Sequence, residues 1–244
     1  MKTTRKRAKG RSLRVLLLTV VLAALALALF AGTALAADHW TDISDSKWMT
    51  DYGVTATQAA TVAAGYDDGT FKPALAVTRG QFTKMAVDGL GLDTSTPLTP
   101  TFSDVPADST FFPWAEGAVD AGIIGGFGDG TFRPETSVSR QQANSILGRY
   151  LAQKELSLTG HIRGELTTYG SLGTWYAAEG TTALAPMVYP SHYLHTAYLV
   201  MRGVVLGSSS GASTYLKPLS ELTRAQAVTI MLRAMAVVFQ ADLP

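Results

Sequence analysis

The chain has 244 residues, 47% of them hydrophobic, with no cysteine and with 20 basic against 19 acidic residues. No disulfide can hold it together, so its stability rests on a packed core. The charge is unevenly placed: seven basic residues and no acid lie in the first 36 positions, which leaves 13 basic and 19 acidic residues in the rest, a net of −6 with no basic run. That balance excludes nucleic acid as a partner, because binding it needs Lys and Arg to neutralise phosphates.

The first element is an export signal. Lys2, Arg5, Lys6, Arg7, Lys9, Arg11 and Arg14 precede an apolar run from Val15 to Phe30, followed by small residues ending Ala34-Leu35-Ala36. A basic region, an apolar core and an A-x-A site make a secretory signal peptide over residues 1–36, of the general export type, with cleavage expected after Ala36. No later apolar stretch is long enough to cross a bilayer, so the mature part is read as secreted, with no membrane partner.

An internal repeat follows. GYDDGTFKP at 65–73 returns as GFGDGTFRP at 126–134, and VTRGQ at 77–81 as VSRQQ at 138–142, all at one offset. TDISD at 41–45 and FSDVP at 102–106 extend the correspondence upstream. A third, degenerate copy is carried by RGVVLG at 202–207, YLKP at 215–218 and LTRAQ at 222–226; its intervening loop SSSGAS has lost the Asp-Gly turn. The expected divisions are a first repeat at 38–97, a second at 98–153, a linker or insertion at 154–192 and the third repeat at 193–240, with a start as early as about 165 as the alternative.

Each copy reads as a helix, a turn loop and a second helix. In the second copy, residues 114–124 place Trp114, Ala118, Ala121 and Ile124 at helical spacing, with Gly125 and Gly126 as the stop. Asp68-Gly69 and Asp129-Gly130 are tight-turn pairs, and Phe71 and Phe132 are expected to anchor the turn to the core. Pro73 and Pro134 bar continuation. The second helices start at Thr78, Ser139 and Thr223, each with Gln three residues on (Gln81, Gln142, Gln226), the capping-box pattern. Apolar residues then recur: Phe82, Met85, Ala86 and Leu90; Ala143, Ile146, Leu147 and Tyr150; Ala227, Ile230, Met231 and Met235. Asp42 and Asp104 are expected to cap the first helix of their copies or its approach. One helix pair cannot bury its own apolar face, whereas three packed together can.

Together, FSDV at 102–105, Trp114, the G-F/Y-x-D-G-T-F-x-P loops and the T/S-R-x-Q starts resemble the S-layer homology family. The resemblance covers about residues 38–240. It implies a mainly α fold in which three helix-loop-helix repeats pack as a pseudo-three-fold bundle. It also implies non-covalent anchoring of an exported protein to the bacterial cell wall, by binding secondary cell-wall polysaccharide, often pyruvylated, in Arg-lined grooves between repeats. By motif position the ligand arginines are Arg79, Arg140 and Arg224. A guanidinium matches a carboxylate in shape and stays charged, and each sits at the first position of a helix, where free amides favour an anion. Gly65, Gly69, Gly126 and Gly130 would let a sugar approach the backbone, and Trp48 and Trp114 would offer aromatic faces. All three copies carry Gln where the family usually has Glu, which removes a negative charge beside each Arg.

Other chemistries are poorly supported. Asp67, Asp68 and Asp129 are too few oxygens for Ca²⁺. His192 and His195, in H-x-x-H spacing, lack the further ligands zinc needs. No G-x-S-x-G, H-E-x-x-H or P-loop is present, so neither an enzyme nor a cofactor is expected. The competing reading is an envelope scaffold that self-associates or binds protein, with the grooves unused.

Overall fold

The computed structural model describes residues 38–159, 190–210 and 213–237; the export signal expected at 1–36 and most of the 154–192 segment expected as a linker or insertion lie outside them. In chain order the elements are α1 (Asp45–Lys47), a π-helical turn (Trp48–Tyr52), α2 (Ala56–Val62), α3 (Arg79–Leu90), α4 (Phe112–Asp120), α5 (Arg140–Thr159), α6 (Pro190–Met201), β1 (Ser208–Ser210), β2 (Ser213–Tyr215) and α7 (Arg224–Met235). The described chain is mainly helical; its one ladder is the antiparallel β1–β2 pair, which spans the degenerate third loop. The described residues from His39 on fall in one compact unit, and among the described residues no helix is long and apolar enough to cross a membrane.

The three capping signals all start helices. Gln81 accepts from the Thr78 amide at 3.1 Å and Thr78 Oγ1 from the Gln81 amide at 3.3 Å. Ser139 and Gln142 repeat the exchange at 3.0 and 3.4 Å, and Gln226 accepts from the Thr223 amide at 3.2 Å. Thr55 and Gln58 form a further box at the start of α2. The stop of α4 differs from the sequence expectation: the helix runs from Phe112 to Asp120, and Gly122, at φ 69°, ends it instead of Gly125-Gly126. There the Gly122 amide bonds to Val119 O and the Ile123 amide to Ala118 O at 3.0 Å, the six-to-one closure of a Schellman motif. Gly203 closes α6 the same way, with the Val204 amide on Leu199 O at 2.9 Å. Helix α5 continues to Thr159, past the repeat boundary placed at 153.

Asp42 and Asp104 do not cap helices. The carboxylate of Asp42 accepts from the amides of Phe71 and Lys72, both at 2.7 Å, and that of Asp104 from Phe132 and Arg133, also at 2.7 Å. Each clamps a turn loop some thirty residues downstream and seats the aromatic behind it; Ser44 caps α1 instead. The residues whose amides are clamped, Lys72 and Arg133, have φ of 57° and 61°, and Lys217 has 48° at the matching place of the third loop. All three precede a proline, and non-glycine residues rarely adopt this conformation.

The three helix starts are tied to one another by backbone. The Val77 amide bonds to Leu222 O, Leu222 to Val138 O, and Val138 to Val77 O, each at 2.9 Å, a closed ring. All three side chains are buried in the common core, with Phe71, Phe82, Phe132, Ile146, Leu147 and Met231. A second layer repeats the circuit: Arg79 N to Thr136 O at 2.8 Å, Arg140 N to Ser220 O at 3.0 Å, Arg224 N to Leu75 O at 2.8 Å. The orphan amides of each helix start are thus satisfied by the loop of the next segment in the circuit.

Candidate functional site

The same circuit carries the arginine side chains. Arg79 leaves the first turn of α3 and reaches the loop after α4, where Nη2 donates to Gly125 O at 2.9 Å. Its guanidinium lies 4.8 Å from the Phe132 ring centre and 5.4 Å from that of Phe127. Arg224 mirrors this on the first loop: Nη2 donates to Ala64 O, and the guanidinium lies 4.9 Å from Tyr66 and 4.8 Å from Phe71. Neither has a carboxylate partner among the described residues. Only 8% of Arg79 is exposed. Burial first, and the charge of Arg149 second, lower its pKa to about 10, so it keeps its proton at neutral pH. The helix-start amides expected to be free for an anion are not, because Thr136, Pro134, Ser220, Pro218, Leu75 and Pro73 carbonyls occupy them.

Arg140 has a different setting. Where the second loop has Phe127 and Phe132, the third has Ser208 and Leu216 in register. Among the described residues, Arg140 lines a cavity of about 400 Å³ together with Asn144, Leu206, Gly207, Leu216 and Arg233, among others. Arg233 is held by a bond from Nη2 to Tyr52 O at 3.1 Å. The loop that the sequence marks as degenerate is therefore the one beside the open groove.

The remaining expected site residues sort by what they touch. Trp48 is fully buried against Trp40, Phe71 and Tyr52, so it is a core residue and offers no face to a sugar. Trp114 is half-buried: Nε1 donates to Asp88 at 2.7 Å, and the Lys84 ammonium covers its ring at 3.6 Å. Gly69 and Gly130 have φ of 77° and 78° and make the tight turns. Asp129 next to that turn accepts from Thr131 and Arg133, and the Thr131 hydroxyl, then Arg133, then the Thr131 amide draw its pKa down to about 2.

Gly65 and Gly126 serve packing. A Cβ on Gly65 would come within 2.3 Å of Trp40 Nε1, and one on Gly126 within 2.5 Å of Phe102 and 2.8 Å of Thr131 O. Gly65→Ala and Gly126→Ala are each expected to cost about 1–3 kcal/mol by overpacking, read from the urea midpoint. Gly128→Ala, where nothing stands within 4 Å, should leave the midpoint nearly unchanged.

Sequence reasoning missed Arg149 and Arg233. Arg233 lines the open cavity with Arg140, and Arg149 acts electrostatically on Arg79. Their spacing was available: each stands nine residues after the motif arginine of its own helix, where α3 has Asp88.

The S-layer homology domain model matches residues 41–83 and 101–143. The chain is 26% identical over 222 residues, 90% of its length, to a surface-layer 125 kDa protein of Lysinibacillus sphaericus, of which this covers 16%. It is 27% identical over 124 residues (48% of the chain) to a cellulosome-anchoring protein of Acetivibrio thermocellus, 26% of that protein. An endoglucanase of a Bacillus species is 33% identical over 122 residues, 49% of the chain and 12% of that enzyme. The chain thus spans about a quarter or less of these relatives' own lengths. The two segments that match the S-layer homology domain model, 41–83 and 101–143, each contain a loop-clamping aspartate and reach into the first turn of an arginine helix.

Proposed function

We propose that the protein is an exported bacterial surface protein, held non-covalently to the cell wall by secondary cell-wall polysaccharide bound in the grooves between three repeats arranged about a pseudo-three-fold axis. The third repeat belongs to this arrangement; the closed ring through Val77, Val138 and Leu222 supports that reading. The observation that carries the function is the groove at Arg140. It offers two guanidinium groups, Arg140 and Arg233, around an open cavity sized for a sugar. Asn144 and Gln226, which also line it, supply neutral donors and acceptors for hydroxyl groups. A carboxylate ketal on the glycan is the group a pair of guanidiniums recognises best. The role is non-catalytic: retention at the surface. Arg79 and Arg224, stacked and bonded to carbonyls, hold neighbouring repeats together.

The test is co-sedimentation of the mature chain with purified cell-wall sacculi. Arg140→Ala with Arg233→Ala is expected to reduce binding at least about tenfold, two charge-assisted contacts being worth a few kcal/mol together. Mild acid treatment of the sacculi, which removes ketals, should do the same to the wild type. Wall binding unaffected by both treatments would remove the assignment. A wild type that ignores sacculi and self-associates would favour the scaffold reading, for which the structural use of Arg79 and Arg224 is the supporting observation.

A further inference from the structure

We infer that the α5–α6 interface is an acid-sensitive joint, in which a proton taken up at His195 loosens α6 from α5, together with the segment 204–207 that follows it.

The register of two helix pairs carries the argument. Gly122 and Gly203 close α4 and α6 with the same left-handed turn, both at φ 69°. Aligning them sets His192 against Phe111 and His195 against Trp114. Both pairs of side chains face an arginine helix. On α3, a Cβ at Gly80 would come within 2.6 Å of the Phe111 ring, and Trp114 Nε1 donates to Asp88 at 2.7 Å. On α5, His192 Nδ1 lies 2.5 Å from Ser145 Oγ, and a Cβ at Gly148 would come within 2.7 Å of His195 Cβ. The position that Asp88 holds on α3 is Arg149 on α5. A ring N–H donating to a carboxylate in the first pair is therefore an imidazole in the field of a guanidinium in the second.

A neutral imidazole fits this seat and an imidazolium does not. His195 Nδ1 is buried with no hydrogen-bond partner among the described residues. The neutral ring can carry its proton on Nε2 and leave Nδ1 a bare lone pair, whereas the cation must bury an N–H that has no acceptor. The surrounding groups supply no anion. Arg149 and His192 act on His195, and Arg149 and Arg79 on His192. Glu155 of α5 is engaged by Arg202 and Tyr198. Asp88 of α3 is held by Lys84 and Trp114, and Asp129, beyond Gly125, by Arg133. Asp120 at the end of α4 is exposed. The other ionisable side chains of α5, Arg140, Tyr150 and Lys154, are not carboxylates, and α6 itself has no acid.

The pH response follows with a fixed sign. Burial, then Arg149, then His192 bring the His195 pKa from the ordinary 6.5 down to about 4. The docked helix therefore refuses a proton that the freed helix accepts. The joint is intact above about pH 6.5 and weakens as pH falls from there towards 4. Its loosening reaches the Arg140 cavity, because Val205, Leu206 and Gly207 line that cavity directly after α6. Asn144, which lines it from α5, also donates to Thr196 Oγ1 on α6 at 3.5 Å.

Hydrogen exchange of the full mature chain tests this, with protection expressed relative to the intrinsic exchange rate at each pH. Between about pH 7 and about pH 5, protection in α6 should fall on the order of tenfold further than in α3 or α4. His195→Phe keeps a ring on Gly148 and removes the titrating nitrogen, so the extra loss should vanish. Arg149→Gln should shrink it. In the wild type, NMR titration should find His195 still neutral well below pH 6.5, a readout that needs no variant to fold. An equal loss of protection in all three helices, an extra loss that persists in His195→Phe, or a His195 that titrates at its ordinary value would overturn the inference. No wall ligand enters these measurements, so their outcome is independent of the wall binding proposed above.

Discussion

Phe132→Ala is expected to destabilise the protein by about 3–5 kcal/mol, the range for a fully buried aromatic cut to a methyl. Phe132 has no exposed surface, packs 5.2 Å from Phe102, and carries the amide that Asp104 clamps. It also supports the Arg79 guanidinium at 4.8 Å. The loss is a large share of the stability of any domain of this size, and a urea unfolding series would read it directly. Phe132→Leu reproduces the residue found at Leu216 in the third loop. It should cost much less, about 1–1.5 kcal/mol, and loosen the hold on Arg79. Arginine-directed phenylglyoxal labelling should then modify Arg79 faster than in the wild type. An unchanged labelling rate would mean that the aromatic ring is not what closes this groove.

The second large effect is expected at Glu155, between α5 and α6. Its carboxylate is 3% exposed, accepts from Tyr198 Oη at 2.8 Å and pairs with Arg202. Tyr198 is itself buried, and burial first, then Glu155, hold its phenol protonated well above the usual range. Glu155→Ala removes a carboxylate partner of the Arg202 guanidinium, and breaking a buried ion pair by deleting one member costs about 3–5 kcal/mol. The damage should be local first. Hydrogen exchange in α6 should accelerate before that in α3 or α4, because α6 packs most heavily on α5. The double change Glu155→Leu with Arg202→Met should recover much of the loss; failure to recover would show that the pair does more than satisfy itself.

What could be read from the sequence was local. Thr78 with Gln81 and Ser139 with Gln142 specify helix starts within four residues, and both exchange the expected bonds. The loop aromatics Phe71 and Phe132 are buried as their place after a tight turn suggests. Most of the failures involve partners distant in the chain. Asp42 looks like a helix cap because the residues nearby are a helix start, yet its partners are amides 29 and 30 positions away. Trp48, expected to offer an aromatic face, is instead core, because Trp40 and Phe71 converge on it from elsewhere in the chain. The end of α4 was misplaced because two glycine signals stand close together, and the earlier one, Gly122, completes the closure. Arg149 and Arg233 carry no motif of their own. Their role depends on which helix face meets a groove, and that is set by the ring of backbone bonds joining residues 77, 138 and 222.

The groove arginines offer the most direct test of the whole account. Side-chain Nε–H resonances of ¹⁵N-labelled protein can be followed while polysaccharide released from the wall is added. The Nε groups of Arg79 and Arg224 are buried without partners among the described residues, and a ligand arriving at any of the groove guanidiniums should shift its resonance strongly. The account predicts that Arg140 and Arg233 respond first, in step with each other and at one affinity. Saturating polysaccharide that leaves every one of these resonances in place, or moves only residues remote from the three grooves, would contradict it.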